Sequence, residues 1–305
     1  MWKYFIRRLL QVPPVIFIIT LMIFGLVYIA GDPVLMMLPA DATPQEIQQL
    51  RHALGFDQPF YIQFGNYIMD LLRGDFGDSY QYGEPALSLV LERLPATLEL
   101  ATASMIVAII IAIPLGIWSA IKPNTFIDLF ATGFSVLGKA IPNFWLGIML
   151  ILIFAVNLHI LPVSGTGTWW HLVLPSITLG TAMSAEITRL VRSNMLEIMS
   201  QDFIRTARSK GLTSFIVIFK HAFRNSLVPV ITITFLQAAA LVGGSLITEM
   251  IFAWPGLGQL IIQAVYEKDL PIIQAAVFVT ALMIILINLL TDVLYRILDP
   301  RIKFN

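Results

Sequence analysis

Two charged residues lie in or beside long apolar stretches of this chain, Lys139 and Glu186. A charge at the centre of a lipid bilayer costs roughly 2.5–3.5 kcal/mol, so such residues usually face a protein interior or water. There, an ammonium and a carboxylate could contact a polar solute that crosses the membrane. Two simpler interpretations stay open. Lys139 could extend to the membrane surface, and Glu186 could pair with Arg189 one helical turn further on.

Small and hydroxylated residues recur every four positions around Glu186, at Ser176, Gly180, Ser184 and Thr188. This spacing puts them on one face of a helix. Such a face could line a polar conduit. It could equally allow a second helix to approach closely, as small residues do in membranes.

Motifs typical of enzymes are missing from the sequence. There is no cysteine, and the four histidines are scattered, so thiol chemistry and a zinc–thiolate site are excluded. No G-x-x-x-x-G-K-[ST] or H-E-x-x-H occurs, and Lys139 is followed by alanine in place of Ser or Thr. We therefore assign no catalytic, metal or cofactor residue to this chain.

The composition indicates a membrane protein. Hydrophobic residues make up 57% of the 305 residues and charged residues 12%, against about 25% charged in soluble domains. Runs of about 18 apolar residues predict transmembrane helices, and a helix satisfies its own backbone in lipid. Five uncharged runs reach at least 19 residues and a sixth is shorter: 9–30, 100–121, 140–158, 226–248, 270–291 and 172–185. We predict an all-α polytopic fold with six spans, the third starting near Asp128 and the short run continuing past Glu186.

The distribution of basic residues predicts the orientation. With the N-terminus inside, fourteen Lys and Arg fall in inner segments and four in outer ones, with Lys139 unassigned. Because inner loops carry the excess of positive charge, both termini are expected to be cytoplasmic. The first run is longer than a signal-peptide core and lacks an A-x-A-like site, so we expect it to be retained. A net charge of zero gives no basic face for nucleic acid.

The long outer loop, residues 31–96, is predicted to be organised. Thr43-Pro44-Gln45-Glu46 has the pattern of a helix-capping box, and Gly55 suits the end of that helix. Residues 60–72 repeat apolar side chains at helical spacing before Gly74. We call 31–96 the lid. It is either a packing element or a contact surface for a partner outside the membrane.

The long inner segment, residues 196–225, is rich in Lys and Arg and is here called the inner loop. Asp202 is predicted to cap a helix over 203–210 that Gly211 ends, with Phe203, Ala207 and Lys210 on one side. A second helix is expected from Ser214, after Thr213 as its cap. The spacing alone is also compatible with a solvated or lipid-headgroup-binding surface. An eight-residue helix is more plausible if another molecule packs on it.

The inner loop closely resembles a known motif. Residues 202–212 read DFIRTARSKGL and residues 221–230 read HAFRNSLVPV. They resemble the EAA-type loop of ABC importer permeases, above all the first permease type of the dipeptide/oligopeptide/nickel group. Further segments with this resemblance follow in order along the chain, at 31–33, 54–59, 74–77, 94–100, 141–147, 174–180, 254–258 and 299–301. Arg205-Thr206-Ala207 replaces the acidic residue and two alanines of the general motif, and Lys139 stands where relatives carry small or hydroxylated residues.

The resemblance implies a single permease domain over residues 1–305 with an ABC importer type I-like fold, in the bacterial inner membrane. It implies a second, homologous permease subunit, two ATPase subunits that hold ATP and Mg, and an extracytoplasmic solute-binding protein. The residues expected to couple to the ATPase are Asp202, Phe203, Arg205, Thr206, Ala207, Arg208, Lys210, Gly211 and His221. The pathway candidates are Lys139, Pro142, Asn143, Ser176, Gly180, Ser184 and Glu186.

The substrate is left open by the sequence. Di- and oligopeptides are expected first, with glutathione or nickel and other metal chelates as alternatives handled by the same machinery. An ion-driven secondary transporter is the alternative from another class, although no repeated halves are visible.

Overall fold

A computed structural model describes residues 10–30, 34–35, 38, 41–53 and 55–298 of the chain. Within these ranges the regular structure is helical, apart from one isolated bridge between Asp78 and Pro85. The predicted all-α class is confirmed for this part of the chain. The family-like segments 31–33 and 299–301, Leu54 and both termini lie outside the described residues.

Twelve α-helices are described, together with two π-helical segments. The first six are α1 (Val12–Ala30), α2 (Pro44–Ala53), α3 (Phe60–Arg73), α4 (Ala86–Ile121), α5 (Phe126–Ala140) and α6 (Asn143–Leu150). The others are α7 (Trp170–Met199), α8 (Asp202–Ser209), α9 (Arg224–Gly244), α10 (Leu246–Ile251), α11 (Leu257–Glu267) and α12 (Leu270–Leu298). The π-helical segments are Ile151–Asn157, which continues α6, and Ile216–Phe223, which leads into α9.

Three helices in the described part of the chain are long and apolar enough to cross a membrane: Ala86–Ile121, Ile216–Gly244 and Leu270–Leu294. A bent pair, Phe126–Ala140 with Asn143–Asn157, would be a fourth. Within α1, the stretch Val12–Gly25 is apolar but shorter than these helices, and α7 contains both apolar and charged residues. The structure thus supports several spans, and it does not by itself establish six.

The third predicted run is not one straight helix. α5 and the helix that follows it are bent by 104° at a short break. Ile141 has extended backbone angles and Pro142 stands at the N-cap of α6. Proline cannot donate a backbone hydrogen bond, and it disfavours helical angles in the residue before it. The break therefore follows from the Ile-Pro sequence, and it leaves Lys139 in the last turn of α5.

The described contacts divide the chain into two compact units. The first comprises Met1–Ala96 with Gly256–Ile285. Its apolar core joins the start of α4 to α11 and the first part of α12, through residues such as Val90, Leu260 and Ile272. In the same unit, Phe60 and Phe64 of α3 lie edge-on or tilted against Phe24 of α1, with ring centroids 5.3 Å away. The apolar side of the lid helix thus packs on the first apolar helix.

The second unit comprises Thr97–Pro255 with Leu286–Asn305. α7 runs through it and contacts α5, α6 and α9. Glycines allow the closest approaches to the remaining part of α4. A Cβ atom on Gly180 would lie 2.8 Å from the Ser104 carbonyl oxygen, and one on Gly116 would lie 2.6 Å from Val191. These helices pack almost backbone to backbone, as small residues permit.

Gly180→Ala is expected to destabilise the protein because the added methyl group meets backbone that cannot move aside easily. Overpacking of this kind costs about 1–3 kcal/mol. Gly133→Ala is the matched control, since its methyl group meets nothing within 4 Å and alanine favours the helix. Thermal unfolding of the purified variants in detergent measures both. Equal melting temperatures for the two variants would contradict the close α4–α7 contact.

Candidate functional site

Lys139 and Glu186 form an ion pair between α5 and α7. The Lys139 Nζ atom lies 3.0 Å from Glu186 Oε2, and the same oxygen accepts a hydrogen bond from Gln237 Nε2 of α9 at 2.7 Å. The Lys139 side chain is 67% exposed and that of Glu186 27%. The carboxylate thus pairs across helices, with Lys139 and not with Arg189. Sequence reasoning missed Gln237, although it is the one amide within the apolar run 226–248.

A small cavity of about 170 Å³ adjoins this cluster. Lys139, Asn143 and Gln237 line it together with apolar residues of α7 and α9. Pro142 is the N-cap of α6, so the interruption of the helix makes Asn143 the first residue of α6, and Asn143 lines the same cavity as Lys139. An ammonium, two amides and an apolar wall are groups that can contact a polar solute with an apolar side chain.

The stripe of small residues lies on a different face of α7. Ser176 and Ser184 are buried, and their hydroxyl groups donate to backbone oxygens of Val173 and Thr181 in the same helix. Gly180 faces α4. These positions support the packing interpretation of the stripe. A contribution to the conduit stays a prediction for Ser176, Gly180 and Ser184.

A buried ion pair that the sequence did not reveal joins α4, α5 and α7. Asp128 accepts two bonds from Arg192, Nε to Oδ1 at 2.6 Å and a terminal nitrogen to Oδ2 at 2.9 Å. Ser119 Oγ and the Asn124 backbone nitrogen donate to the same carboxylate. This bidentate geometry satisfies a carboxylate that is 5% exposed. The sequence feature that could have indicated this pair is Asp128, an aspartate in the first turn of a mostly apolar helix.

Two further buried carboxylates stabilise ends of helices. In the second unit, Glu249 accepts hydrogen bonds from Thr97 at 3.0 Å and Ser245 at 2.8 Å. In the first unit, Asp269 accepts one from Ser79 just before α12 begins. These groups are hydrogen-bonded within the protein, which makes their burial tolerable. No group of three or more His, Cys, Asp or Glu in the described chain has a geometry that could hold a metal ion.

The inner loop contains the short helix expected there, with one correction. α8 is Asp202–Ser209, and its N-cap is Gln201 with extended angles. The prediction that Asp202 caps the helix is therefore wrong, because Asp202 is the first helical residue. Its carboxylate instead interacts favourably with the positive end of the helix dipole. Gly211 has φ +76° and bonds back to Arg208, as a helix-ending glycine should.

The face predicted for α8 also needs correction. Ile204 and Ala207 are buried and α8 packs on the π-helical segment Ile216–Phe223, while Phe203 and Lys210 are exposed. Ala207 therefore supports the loop from inside. The exposed residues of the predicted set are Asp202, Phe203, Arg205, Thr206, Arg208, Lys210 and Gly211, whereas His221 is half-buried. The second helix is continuous with α9, so no break separates it from the apolar run 226–248.

The lid residues confirm the predicted capping box. The Thr43 backbone nitrogen donates to Glu46 Oε2 at 2.7 Å, and the Glu46 nitrogen donates to Thr43 Oγ1 at 3.3 Å. Gly55 and Gly74 have positive φ angles of 70° and 76° after α2 and α3. The start of α4 at Ala86 shows that the last part of the lid sequence is already helical.

An exposed ion pair closes the turn after α2. His52 Nδ1 lies 2.5 Å from Asp57 Oδ2. This hydrogen bond raises the pKa of His52 and lowers the pKa of Asp57. Both side chains are therefore charged at every pH between the lowered pKa of Asp57 and the raised pKa of His52. This range is wider at both ends than the range for a free aspartate and a free histidine.

Comparison with known proteins assigns the family. Residues 112–304 match the family described as "Binding-protein-dependent transport system inner membrane component", and residues 1–101 match its N-terminal counterpart. The chain belongs to this family of inner membrane transport components.

Curated relatives match over their whole length. The chain is 40% identical to the oligopeptide transport system permease protein AppB of Bacillus subtilis (strain 168), over 316 residues and 100% of both chains. It is also 40% identical to the glutathione transport system permease protein GsiC of Escherichia coli (strain K12) and to the dipeptide transport system permease protein DppB of Alkalihalophilus pseudofirmus, again over 100% of each chain.

Solved structures support the fold. A chain of the MetNI methionine ABC transporter in inward-facing conformations gives a TM-score of 0.59 at 21% identity, covering 69% of this chain and 96% of that one. A chain of an amino acid ABC transporter gives 0.52 at 18% identity, covering 68% and 94%. These structures confirm the expected permease fold over about two thirds of the chain. The family match and the full-length relatives confirm the expected role as a permease subunit of a binding-protein-dependent transport system.

Asp128→Asn is expected to lower the free energy of unfolding by about 1.5–3 kcal/mol, because the Arg192 side chain, which is 31% exposed, loses its charged bidentate partner. Asp202→Asn is the matched control. Its partner Arg205 lies 3.8 Å away and both side chains are exposed, so its effect should stay within about 0.5 kcal/mol. Denaturant titration of the purified variants measures the difference. Two equally small effects would show that the Asp128 pair is not a stabilising contact.

Proposed function

We propose that the chain imports short peptides as one half of an ABC importer's translocation pathway. The observation that supports this most strongly is the similarity over the full length to permeases named for oligopeptides and dipeptides, each at 40% identity. Glutathione is the second candidate because one relative is named for it. Glutathione is itself a tripeptide, so all three names describe small amide-containing solutes.

The proposed assembly contains a second, homologous permease, two ATPase subunits with ATP and Mg, and an extracytoplasmic solute-binding protein. The family's description names a binding-protein-dependent system, which supports these partners. The lipid bilayer surrounds the proposed assembly, and no nucleic acid is proposed as a partner. The lid is proposed to contact the solute-binding protein.

The proposed topology has six spans, with both termini on the cytoplasmic side of the bacterial inner membrane. Three long apolar helices and the bent pair support four of these spans. α1 and α7 would supply the other two, α1 with an apolar stretch at Val12–Gly25 and α7 with thirty residues. The excess of Lys and Arg in the inner segments supports the orientation.

Coupling to the ATPase is proposed to use α8. Its buried side, Ile204 and Ala207, is held by the chain's own π-helical segment. Its other side exposes Phe203, Arg205 and Arg208 to a partner. An apolar anchor surrounded by cationic groups suits docking into a groove on another protein. Movement of the ATPase subunits on ATP binding would then move α8 and, through the continuous helix that follows, α9.

The pathway is proposed to pass the Lys139–Glu186–Gln237 cluster. Glu186 is held from two sides, by Lys139 and by Gln237, whereas Lys139 is largely exposed. The ammonium is thus the more accessible of the two charges. It would favour a carboxylate or carbonyl group of a passing solute.

Gly211→Val is expected to reduce docking of the ATPase or coupled ATP hydrolysis, since a β-branched residue resists the φ of +76° at that position. A cost of about 1–2 kcal/mol for left-handed angles corresponds to a loss of roughly fivefold or more in substrate-stimulated ATPase activity of the assembled transporter. Gly211→Asn is the matched control because asparagine tolerates such angles. A Val variant with normal stimulation would contradict the role of α8.

Lys139→Met is expected to change substrate preference more than assembly. Removing the ammonium should lower the ratio of anionic to cationic peptide uptake by roughly threefold to tenfold. The effect is of this size because the Lys139 charge is partly solvated. Lys122→Met, an exposed lysine that does not line the cavity, is the control. Uptake in proteoliposomes measures the ratio, and an unchanged ratio would place Lys139 outside the pathway.

A further inference from the structure

A larger cavity lies within the first unit, and all of its described lining residues belong to that unit. Its volume is about 650 Å³, inside the roughly 300–1,000 Å³ range of small-molecule sites. Five segments form it: Phe24 of α1, the end of α2 with the turn after it, the polar side of α3, residues 75–80, and the beginning of α12. Neither the pathway nor the coupling surface proposed above uses this cavity.

The cavity wall is electronegative. Asp70, Asp75 and Asp78 line it, and none of the described residues that line it is Lys or Arg. Among these described lining residues the one basic group is His52, and it is matched by Asp57. Asp75 uses one carboxylate oxygen to accept a hydrogen bond from the Gly77 backbone nitrogen at 2.8 Å. The wall therefore favours a cation, although these carboxylates do not have the grouping needed for a metal ion.

Two unsatisfied polar groups indicate that a ligand with hydrogen-bonding groups belongs there. Gln274 lines the cavity, is only 9% exposed, and has no hydrogen-bond partner for its side chain in the described chain. Tyr67 also lines the cavity, and its buried hydroxyl group lacks a partner among the described residues. A buried hydroxyl group without a partner is costly, so Tyr67 favours a ligand that bonds it. The Gln274 amide has no fully buried unpaired atom and is available to bond a ligand in the cavity. The rings of Tyr67, Phe76 and Tyr80 add aromatic surface, which attracts organic cations.

We propose that this cavity is a binding site for a small organic cation with a primary ammonium group and an adjacent amide, such as the free amino terminus of a short peptide. The ammonium would lie against the carboxylates of Asp75 and Asp78. The amide would pair with Gln274, which offers both a donor and an acceptor. The same ammonium chemistry exists in a lysine side chain of a docked protein, so the test must separate the two sources.

The test is a ligand-observed NMR titration of the purified full chain in lipid nanodiscs. The first probe is alanyl-alanine amide, and the second is the same compound with an acetylated amino terminus, which removes the cation alone. The third, Nα-acetyl-lysine methylamide, imitates a lysine side chain of a protein. Tighter binding of the first probe than of both others, by about tenfold, is expected. Equal binding of the acetylated probe, preference for the lysine probe, or no binding of the first probe at millimolar concentration would overturn the proposal.

Probe binding by variants of the lining residues tests whether this cavity is the binding site. A variant outside the cavity serves as the control. The double change Asp75→Asn and Asp78→Asn should weaken binding of the first probe about tenfold, and Gln274→Leu should weaken it several-fold. The Asp75→Asn change keeps a side-chain acceptor for the Gly77 backbone nitrogen, so the turn is retained. Glu84→Gln, an exposed lid residue outside the cavity, should have no effect. Affinity unchanged in the aspartate variant would overturn the assignment, whatever the result of the transport assays above.

Discussion

Carboxylates packed among apolar helices must have a partner, and the second unit depends on this constraint. Three described carboxylates in it are hydrogen-bonded within the unit: Asp128 with Arg192, Glu186 with Lys139 and Gln237, and Glu249 with Thr97 and Ser245. Leaving one such group unpaired costs several kcal/mol. The pairs therefore fix which helices can be neighbours, and they hold α5, α7 and α9 around the small cavity.

The same constraint distinguishes Asp128 from Lys139, which is the charge proposed to contact a solute. Asp128 has both oxygens occupied and is nearly inaccessible, which suits a role in holding helices together. Lys139 is paired with Glu186 yet remains mostly exposed, next to a cavity lined by two amides. An accessible charge beside a cavity is the arrangement expected of a group that contacts a solute. Ser176 and Ser184, by contrast, satisfy their hydroxyl groups within α7.

Local features of the fold could be predicted from the sequence because their causes are local. The Thr43–Glu46 box, the helix over 60–73 and the positive φ of Gly211 depend on a few adjacent residues. The face of α7 that meets α4 could not be predicted, since small residues suit a conduit and a helix contact equally. The Asp128–Arg192 pair spans 64 positions and needs the helix arrangement to become visible. The full family motif, spread along the chain, identified the protein class where single residues could not.

This chain is proposed to move peptides by coupling to separate ATPase subunits. The most direct test reconstitutes the chain with its second permease and ATPase subunits in proteoliposomes, and measures uptake of a labelled dipeptide in the presence of the solute-binding protein. Uptake is expected to require ATP and to persist when ionophores abolish ion gradients. Uptake by the permease subunits alone, driven by an ion gradient without ATPase chains, would contradict it.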